Sequence, residues 1–305
     1  MEKVGKGIGN TPLVRLKKIE EYYRLNAEIY AKVEGENLGG SIKDRVAEYI
    51  VNDALQSGKL RAGGAVIEAT SGNTGIGLAL VCKQKGLRAI IVMPDNMTVE
   101  RRNLIMAHGG EVVLTDAKKG MQGAVEKAEE LCKNTPNSII AGQFENPVNP
   151  RAHYERTAPE LYAQSGGNVD VFVAGIGTGG TVTGVGKFLK EKNADCAVYG
   201  LEPTSSPLIT KGVAGAHKIQ GIGANFVPKI LDKSVLDGVL TVADTDAIEM
   251  TKRLFALEGL FVGISSGANV CGAVELAQRE ENKGKKIHTV LPDEGGRYAS
   301  ILNLK

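Results

Sequence analysis

The stretch VFVAGIGTGGTVTGVGKFL, residues 171–189, decides the fold. An apolar run typical of a buried strand leads into a glycine-rich turn, and a helical pattern follows. Where a strand passes through such a turn into a helix N-terminus, the backbone N–H groups face an incoming anion. Glycines let the backbone close on that anion, and threonine hydroxyls add hydrogen bonds. The stretch predicts a phosphate-binding turn made by Gly175, Gly177, Gly179 and Gly180, with hydroxyls from Thr178 and Thr181.

Short β-branched runs alternate with amphipathic stretches along most of the chain. The expected strands cover residues 29–33, 65–69, 89–93, 111–115, 138–141, 170–174, 197–201 and 287–291. Helical spacing of apolar residues is clearest over residues 42–55, 121–131 and 247–257. Strand–helix alternation indicates an α/β fold with parallel sheet, and near-continuous apolar strands indicate that both sheet faces are covered. The stretch QFENPVNPRAH, residues 143–153, breaks this rhythm with prolines and asparagines, and we interpret it as the crossing between two domains.

A second polar turn, within EATSGNTGIGLAL (residues 68–80), also joins a strand to a helix. Its hydroxyls, amide and backbone N–H groups at a helix N-terminus suit a carboxylate or another anion. An ordinary capping turn is the alternative, but five consecutive small polar or glycine residues exceed what a cap requires. The turn consists of Thr70, Ser71, Gly72, Asn73 and Thr74.

Two shorter motifs carry less information alone. In GGSIKDR, residues 39–45, Lys43 lies in the first turn of a predicted helix, where a cation is electrostatically disfavoured. That position favours the free amine that an imine requires, although a solvated surface lysine is the simpler interpretation of this motif by itself. In VGISSGANV, residues 262–270, Ser265 and Ser266 precede a helix of small residues, and a capped helix start is again the simpler interpretation.

The glycine-rich turn also resembles a dinucleotide-binding fingerprint. Such a site needs an acidic residue about 20 residues further on for the ribose, and Glu202 follows the next strand but precedes a proline. A nucleoside triphosphate site is disfavoured because no Walker lysine follows the glycines. The turn by itself therefore indicates phosphate without specifying the cofactor.

Composition excludes several other classes of function. Lys and Arg number 37 and Asp and Glu 35, so the formal net charge of the 305 residues is only +2. With no basic block interleaved with aromatics, we expect no nucleic-acid partner. No apolar run reaches the roughly 18 residues of a membrane span, and the N-terminus has no signal-like core. The cysteines and histidines are scattered, which predicts buried reduced thiols, no metal site and a cytoplasmic location.

Taken in order, these motifs resemble the fold-type II pyridoxal 5′-phosphate (PLP) enzymes, and most closely the cysteine synthase (O-acetylserine sulfhydrylase) family. The resemblance runs over nearly the whole chain. The matching motifs are GNTPLVRL, SIKDR, TSGNTGIGLA, MP at residues 93–94, ERR, KGMQGAVEKAEE, QFENPVNP, GIGTGGTVTGVG, LEPTSSP, HKIQGIGANF, GISSGA and GGRYAS.

The resemblance implies two three-layer α/β/α domains of the tryptophan synthase β type, with PLP in the cleft between them. The smaller would comprise residues 1–12 and 35–146, and the larger residues 13–34 and 147–305. The resemblance also implies that Lys43 forms the internal aldimine, that Asn73 hydrogen-bonds the phenolic oxygen of PLP and that Ser265 faces its pyridine nitrogen. Residues 177–181 match the phosphate-binding loop. The positions that match the substrate site are Thr70, Ser71, Gly72, Thr74, Gln143 and Gly221.

The family's activity is β-replacement: O-acetyl-L-serine and sulfide give L-cysteine and acetate through an α-aminoacrylate. Cystathionine β-synthase and O-phosphoserine sulfhydrylase are the nearest alternatives, but the HKIQGIGA stretch, residues 217–224, offers no arginine to a leaving phosphate. A Rossmann-type nucleotide-binding protein and a catalytically silent PLP fold are the alternatives from other classes. The resemblance also implies a homodimer and docking of the C-terminal tail of serine acetyltransferase.

Overall fold

A computed structural model describes residues 7–302 of the chain. It contains strands at all eight positions expected from the sequence, and two further strands, the first and the ninth. The strands are β1 (Leu13–Arg15), β2 (Glu28–Val33), β3 (Ala65–Ala69), β4 (Arg88–Pro94), β5 (Glu111–Thr115), β6 (Ser138–Ile140), β7 (Val171–Gly175), β8 (Ala197–Pro203), β9 (Gly238–Val242) and β10 (Lys286–Leu291).

The three helices expected from apolar spacing correspond to α2, α5 and α10. The helices are α1 (Lys17–Tyr23), α2 (Lys43–Gln56), α3 (Asn73–Gln84), α4 (Val99–Ala107), α5 (Gly120–Asn134), α6 (Val148–Ala152), α7 (Ala158–Gln164), α8 (Gly180–Lys192), α9 (Leu208–Lys211), α10 (Asp244–Glu258), α11 (Ile264–Ala277) and α12 (Ala299–Leu302). None of the helices in this described part is long and apolar enough to span a membrane.

The chain divides into two compact units. The larger unit comprises the described residues up to Ile42 together with those from Pro150 onward. Its sheet has six strands in the order β1-β2-β10-β7-β8-β9, and only the β1–β2 pair is antiparallel. Both faces of this sheet are covered, because alternate residues of β7 enter different cores. Val171 and Val173 pack with α10 and α11, whereas Phe172 packs with α7 and α8. This arrangement gives three layers, as expected.

The smaller unit comprises Lys43–Asn149. Its four strands are all parallel, in the order β5-β4-β3-β6. On one face, Ile67 of β3 packs against Ala124 and Ala128 of α5. On the other face, α3 approaches β4 so closely that a Cβ at Gly75 would lie 3.0 Å from Ile91. The mixed α/β class with largely parallel sheets is therefore confirmed for both units.

The unit boundaries differ from the domain boundaries expected from the sequence. Residues 35–42, assigned there to the smaller domain, belong to the larger unit. The Ile42 N–H donates to the carbonyl of Pro292 at 2.8 Å, and Ser41 forms a β-bridge with Asp293. Residues 7–12 also belong to the larger unit, since the carbonyl of Pro12 accepts the Val33 N–H at 2.9 Å. The second boundary falls after Asn149, inside the stretch interpreted as the crossing.

That stretch is more helical than its prolines and asparagines indicate. Asn146 accepts the N–H of Val148 at 3.0 Å and so supports the start of α6. Pro150 lies in the first turn of α6, where a missing N–H costs nothing because helix-opening N–H groups have no intrahelical acceptor. A π-helical turn, His153–Thr157, then joins α6 to α7.

Candidate active site

The first candidate residue, Lys43, is also the first residue of α2, with Asp44 in the same turn as predicted. Its side chain is half-buried. Helix α3 passes close beside this turn: a Cβ at Gly77 would lie 3.1 Å from the Lys43 carbonyl oxygen and 3.2 Å from Oδ1 of Asp44. The missing side chain therefore permits the close approach of α2 and α3, which fixes the backbone from which the Lys43 amine extends.

The polar turn between β3 and α3 holds five of the candidate residues, which are residues 70–74. Helix α3 begins at Asn73, and no side chain caps it at Gly72. Thr70 Oγ1 instead accepts the Gly72 N–H at 3.2 Å, and the carbonyl of Ser71 accepts a hydrogen bond from Arg101 at 3.1 Å. The turn is thus shaped by contacts other than a side-chain cap, so the capping interpretation does not account for its composition.

Thr74 and Gln143, which are far apart in sequence, meet in the structure. The Thr74 hydroxyl donates to Oε1 of Gln143 at 2.6 Å, and both residues are buried. Gln143 follows β6, and its backbone carbonyl accepts from the Asn149 side chain at 2.8 Å. The smaller unit therefore places Lys43, the polar turn and Gln143 on neighbouring strand and helix ends, the usual location of ligand sites in parallel sheets.

The glycine-rich turn of the larger unit runs from β7 into α8. Gly179 has a φ of +83° in the left-handed region, which favours glycine. A Cβ at Gly177 would lie 2.1 Å from the carbonyl oxygen of Gly221, so no side chain fits there. Thr178 Oγ1 accepts the Gly180 N–H at 3.3 Å, and Thr181 Oγ1 lies 3.4 Å from Nε2 of the buried His153. The turn delivers backbone N–H groups and two hydroxyls at the N-terminus of a 13-residue helix, as the phosphate-binding prediction requires.

Gly221 and Ser265 lie next to each other in the larger unit. A Cβ at Gly221 would lie 3.7 Å from the hydroxyl oxygen of Ser265. Ser265 is 3% exposed in the first turn of α11, and no side chain caps that helix. The simple interpretation of the serines as helix caps is therefore wrong for this helix. The Gly177–Gly221 approach brings Ser265 into the same neighbourhood as the phosphate-binding turn.

Glu202, the acidic residue considered as a hydrogen-bond partner for the ribose of a dinucleotide, has other partners. Its carboxylate accepts the N–H groups of Ile209 and Thr210 at 2.7 and 3.0 Å, and the Thr210 hydroxyl at 2.6 Å. It is 2% exposed. A carboxylate that anchors the start of α9 in this way does not serve a dinucleotide, so the structure disfavours the Rossmann alternative.

Within residues 7–302, the cysteine thiols are free and the possible metal-ligand side chains are not grouped. Cys82, Cys132, Cys196 and Cys271 carry free thiols, of which the first and third are buried and the others intermediate. Burial raises the pKa of the Cys82 thiol to about 12, which makes it a poor nucleophile. Among residues 7–302, no three His, Cys, Asp or Glu side chains are grouped so that they could hold a metal ion.

Comparison with known proteins defines the class to which this fold and these residues belong. Residues 4–293 match the family model described as pyridoxal-phosphate dependent enzyme. The chain belongs to this family.

Particular relatives narrow the comparison. Cysteine synthase B of Campylobacter jejuni is 50% identical over 299 residues, which cover 98% of this chain and 97% of that protein. The crystal structure of cysteine synthase from Entamoeba histolytica superposes with a TM-score of 0.95 at 39% identity, covering 100% of this chain and 91% of that one. An O-acetylserine-dependent cystathionine β-synthase from Helicobacter pylori gives a TM-score of 0.91 at 38% identity, covering 98% of both chains.

The residues present fit PLP in chemical type. The cradle at Gly177 and Gly179, which side chains would fill or strain, suits a phosphate group at the α8 N-terminus. The buried Ser265 hydroxyl offers a neutral hydrogen bond of the kind a ring nitrogen accepts. Lys43 offers the amine to which family members attach the cofactor. The sequence did not identify Glu68 and Asn269, whose side chains contact the backbone beside these residues. The signal that could have identified each of them was a polar residue within an apolar segment.

Proposed function

We propose that this chain makes L-cysteine and acetate from O-acetyl-L-serine and sulfide. The observation that carries the proposal is the near full-length similarity to cysteine synthase B, 50% identical over 98% of the chain. The candidate residues of the cofactor and substrate sets lie in turns or at helix starts, which supports the proposal. Bound PLP supplies the electron-withdrawing ring that makes the substrate Cα–H acidic and lets a β-substituent leave.

Each residue has a role in this proposal. Lys43 would hold the cofactor through its amine, and the same amine would take the proton from the substrate Cα. Asn73 would hydrogen-bond the ring oxygen, and Ser265 the ring nitrogen. A hydroxyl there, in place of a carboxylate, would leave the nitrogen largely unprotonated and so would restrict side reactions. The phosphate is held by Gly177, Thr178, Gly179, Gly180 and Thr181.

The substrate carboxylate is bound by the polar turn of the smaller unit. Backbone N–H groups at the start of α3, the hydroxyls of Thr70 and Ser71 and the amide N–H₂ group of Gln143 provide the donors. The Thr74 hydroxyl, which donates to Oε1 of Gln143, holds that amide in place, and Gly72 gives close backbone access. Gly221 lines the substrate site. Closure of this turn on the carboxylate excludes water while the β-substituent departs, which protects the reaction from hydrolysis.

The visible absorbance spectrum before and after addition of O-acetyl-L-serine tests this function. The purified protein should be yellow, its spectrum should change with the substrate, and sulfide should restore the first spectrum with release of cysteine. Lys43→Ala should lose at least about a thousandfold in turnover, because one residue serves both as cofactor anchor and as base. A colourless wild-type protein in the presence of PLP would contradict the proposal.

A second candidate follows from the Helicobacter pylori relative, which is O-acetylserine-dependent but is a cystathionine β-synthase. It differs from the main proposal only in the incoming thiol. Turnover of O-acetyl-L-serine with homocysteine, compared with sulfide under the same conditions, separates the two. Serine plus homocysteine, and O-phosphoserine plus sulfide, are the remaining substrate pairs to compare, and we expect both to be slower.

The assembly and location of the protein complete the proposal. Family resemblance supports a cytoplasmic homodimer that binds the C-terminal tail of serine acetyltransferase. Light scattering on a sizing column should give twice the mass of the 32.2 kDa chain. A synthetic tail peptide should compete with O-acetyl-L-serine, and a peptide without its terminal carboxylate should not.

A further inference from the structure

Glu68 is a buried carboxylate that the proposed reaction does not use. It lies on β3, the second strand from one edge of the smaller sheet, and is 4% exposed. Its neighbour across the sheet on β4 is Ile91. A carboxylate in such a position is retained at a desolvation cost, so its hydrogen-bond partners indicate what it stabilises.

Those partners are consecutive backbone N–H groups in the turn after β6. Gly142 N–H donates to Oε2 of Glu68 at 2.8 Å, and Gln143 N–H donates to Oε1 at 3.2 Å. The chain reverses here, with Gly142 at a φ of +65°. Because each carboxylate oxygen takes one N–H group, Glu68 fixes the direction in which Gln143 leaves the strand.

The side chain of Gln143 leads from this turn to the polar turn of the substrate site. Its amide oxygen accepts a hydrogen bond from the Thr74 hydroxyl at 2.6 Å. Glu68 thus holds the backbone of the residue whose side chain meets Thr74.

We propose that Glu68 is a positioning residue for the substrate carboxylate, which it serves by fixing the turn from which the Gln143 side chain reaches Thr74. This inference rests on the proposed function, in which Gln143 and Thr74 receive that carboxylate. Glu68 itself does not touch the substrate in this assignment. Glu68 should therefore affect the affinity for the amino acid substrate and not the affinity for sulfide, because sulfide has no carboxylate.

Burial raises the pKa of Glu68 to about 7, and the hydrogen bonds from Gly142 and Gln143 oppose that rise. The buried residues of α3, which covers the face of β3 that carries Glu68, include no Asp, Glu, Lys, Arg or His, and the buried Asp44 and Arg45 of α2 are not among the causes of the shift. Near pH 7 the carboxyl group therefore exchanges between an acceptor-only form and a form that can donate, so its hold on the Gly142 and Gln143 N–H groups is pH-sensitive.

Glu68→Gln in the holoenzyme is the test, because it keeps the shape but replaces one acceptor by a donor. We expect the KM for O-acetyl-L-serine to rise about tenfold, with the KM for sulfide unchanged. In the wild type the KM for O-acetyl-L-serine should rise as the pH falls below about 7, and the variant should lose this dependence. Hydrogen exchange of the Gly142 and Gln143 amides should be about tenfold faster in the variant.

Val66→Ala is the matched control, since Val66 is a fully buried residue on the same face of β3. It should lower the midpoint of thermal unfolding without changing either KM or the exchange of the two amides. An unchanged KM for O-acetyl-L-serine in Glu68→Gln would overturn the inference, as would equal effects of the two variants. A wild-type protein that does not turn over O-acetyl-L-serine would instead contradict the proposed function.

Discussion

At the scale of single residues, Gly177 illustrates how a missing side chain builds a site. The carbonyl oxygen of Gly221 lies where a Cβ at Gly177 would be, at 2.1 Å. This obstacle is backbone, so it cannot rotate away as a flexible side chain would. An added methyl group must displace either the phosphate-binding turn or the Gly221 segment beside Ser265.

We therefore expect Gly177→Ala to retain the fold but to lose at least about tenfold in affinity for PLP. The measurement is retention of the cofactor on dialysis, followed by its absorbance. Gly296→Ala is the control, because a Cβ at Gly296 meets nothing within 4 Å. Equal retention of the cofactor by Gly177→Ala and the wild type would show that the turn does not bind its phosphate.

Single residues also show how much of the site can be predicted from the sequence alone. Lys43 in isolation resembles a solvated lysine, and only the surrounding motifs give it a function. The local pairing of Gly177 with Gly221 and that of Thr74 with Gln143 join positions 44 and 69 residues apart, which no periodicity reveals. Glu68 was visible as a charge in the apolar strand AVIEA, but its partners depend on how β6 ends.

At the scale of elements, α11 ties two central strands together through one side chain. Asn269 accepts the Gly175 N–H of β7 at 2.8 Å and donates to the carbonyl of Val290 in β10 at 2.8 Å. Asn269 is 1% exposed. It therefore satisfies a donor and an acceptor in the middle of the larger sheet, directly before the phosphate-binding turn.

Replacing this amide by an apolar group of similar size should leave both backbone groups without a partner. For Asn269→Leu we expect a loss of about 2–5 kcal/mol in the free energy of unfolding, measured by urea titration. Asn168→Leu serves as control, since Asn168 makes one exposed hydrogen bond of 3.3 Å to Gly166. A loss below about 1 kcal/mol, the cost of one ordinary hydrogen bond, would contradict this account.

The elements that the sequence did not predict share a physical cause. β1 has three residues and lies at the sheet edge, and β9 lies at the opposite edge with alternating exposure. Edge strands bury less surface, so their apolar signal is weak. The smaller sheet also has two edge strands, β5 and β6, which the sequence did predict, so an edge position weakens this signal without removing it. In the 143–153 stretch, prolines suggested a break, but at the start of a helix they are tolerated.

At the scale of the whole molecule, His288 couples stability to pH. It is fully buried on β10 and stacks on Tyr30 of β2, with ring centroids 5.0 Å apart. Burial lowers the pKa of His288 from 6.5 to about 4, although the backbone of Lys286 and the charge of Asp170 partly oppose this. The folded protein therefore keeps His288 neutral at pH values where the unfolded chain binds a proton.

The lowered pKa of His288 determines how the free energy of unfolding changes with pH. Below pH 6.5 the unfolded chain takes up the proton first, so the free energy of unfolding falls as the pH drops toward 4. The slope due to this residue is at most about 1.4 kcal/mol per pH unit. Urea titrations at several pH values should show a smaller slope for His288→Phe, which can still stack on Tyr30. An equal slope in His288→Phe and the wild type would contradict the assignment.

The division of the chain has a consequence for how the protein forms during synthesis. β2 cannot pair with its parallel neighbour β10 until the chain has been translated beyond Lys286, where β10 begins. The smaller unit, in contrast, is one uninterrupted segment, Lys43–Asn149. On a ribosome that segment can fold while β10 is still untranslated, because local contacts form before distant ones. The strands that precede Lys43 then remain exposed until translation is almost complete, and they are where an interrupted chain would aggregate.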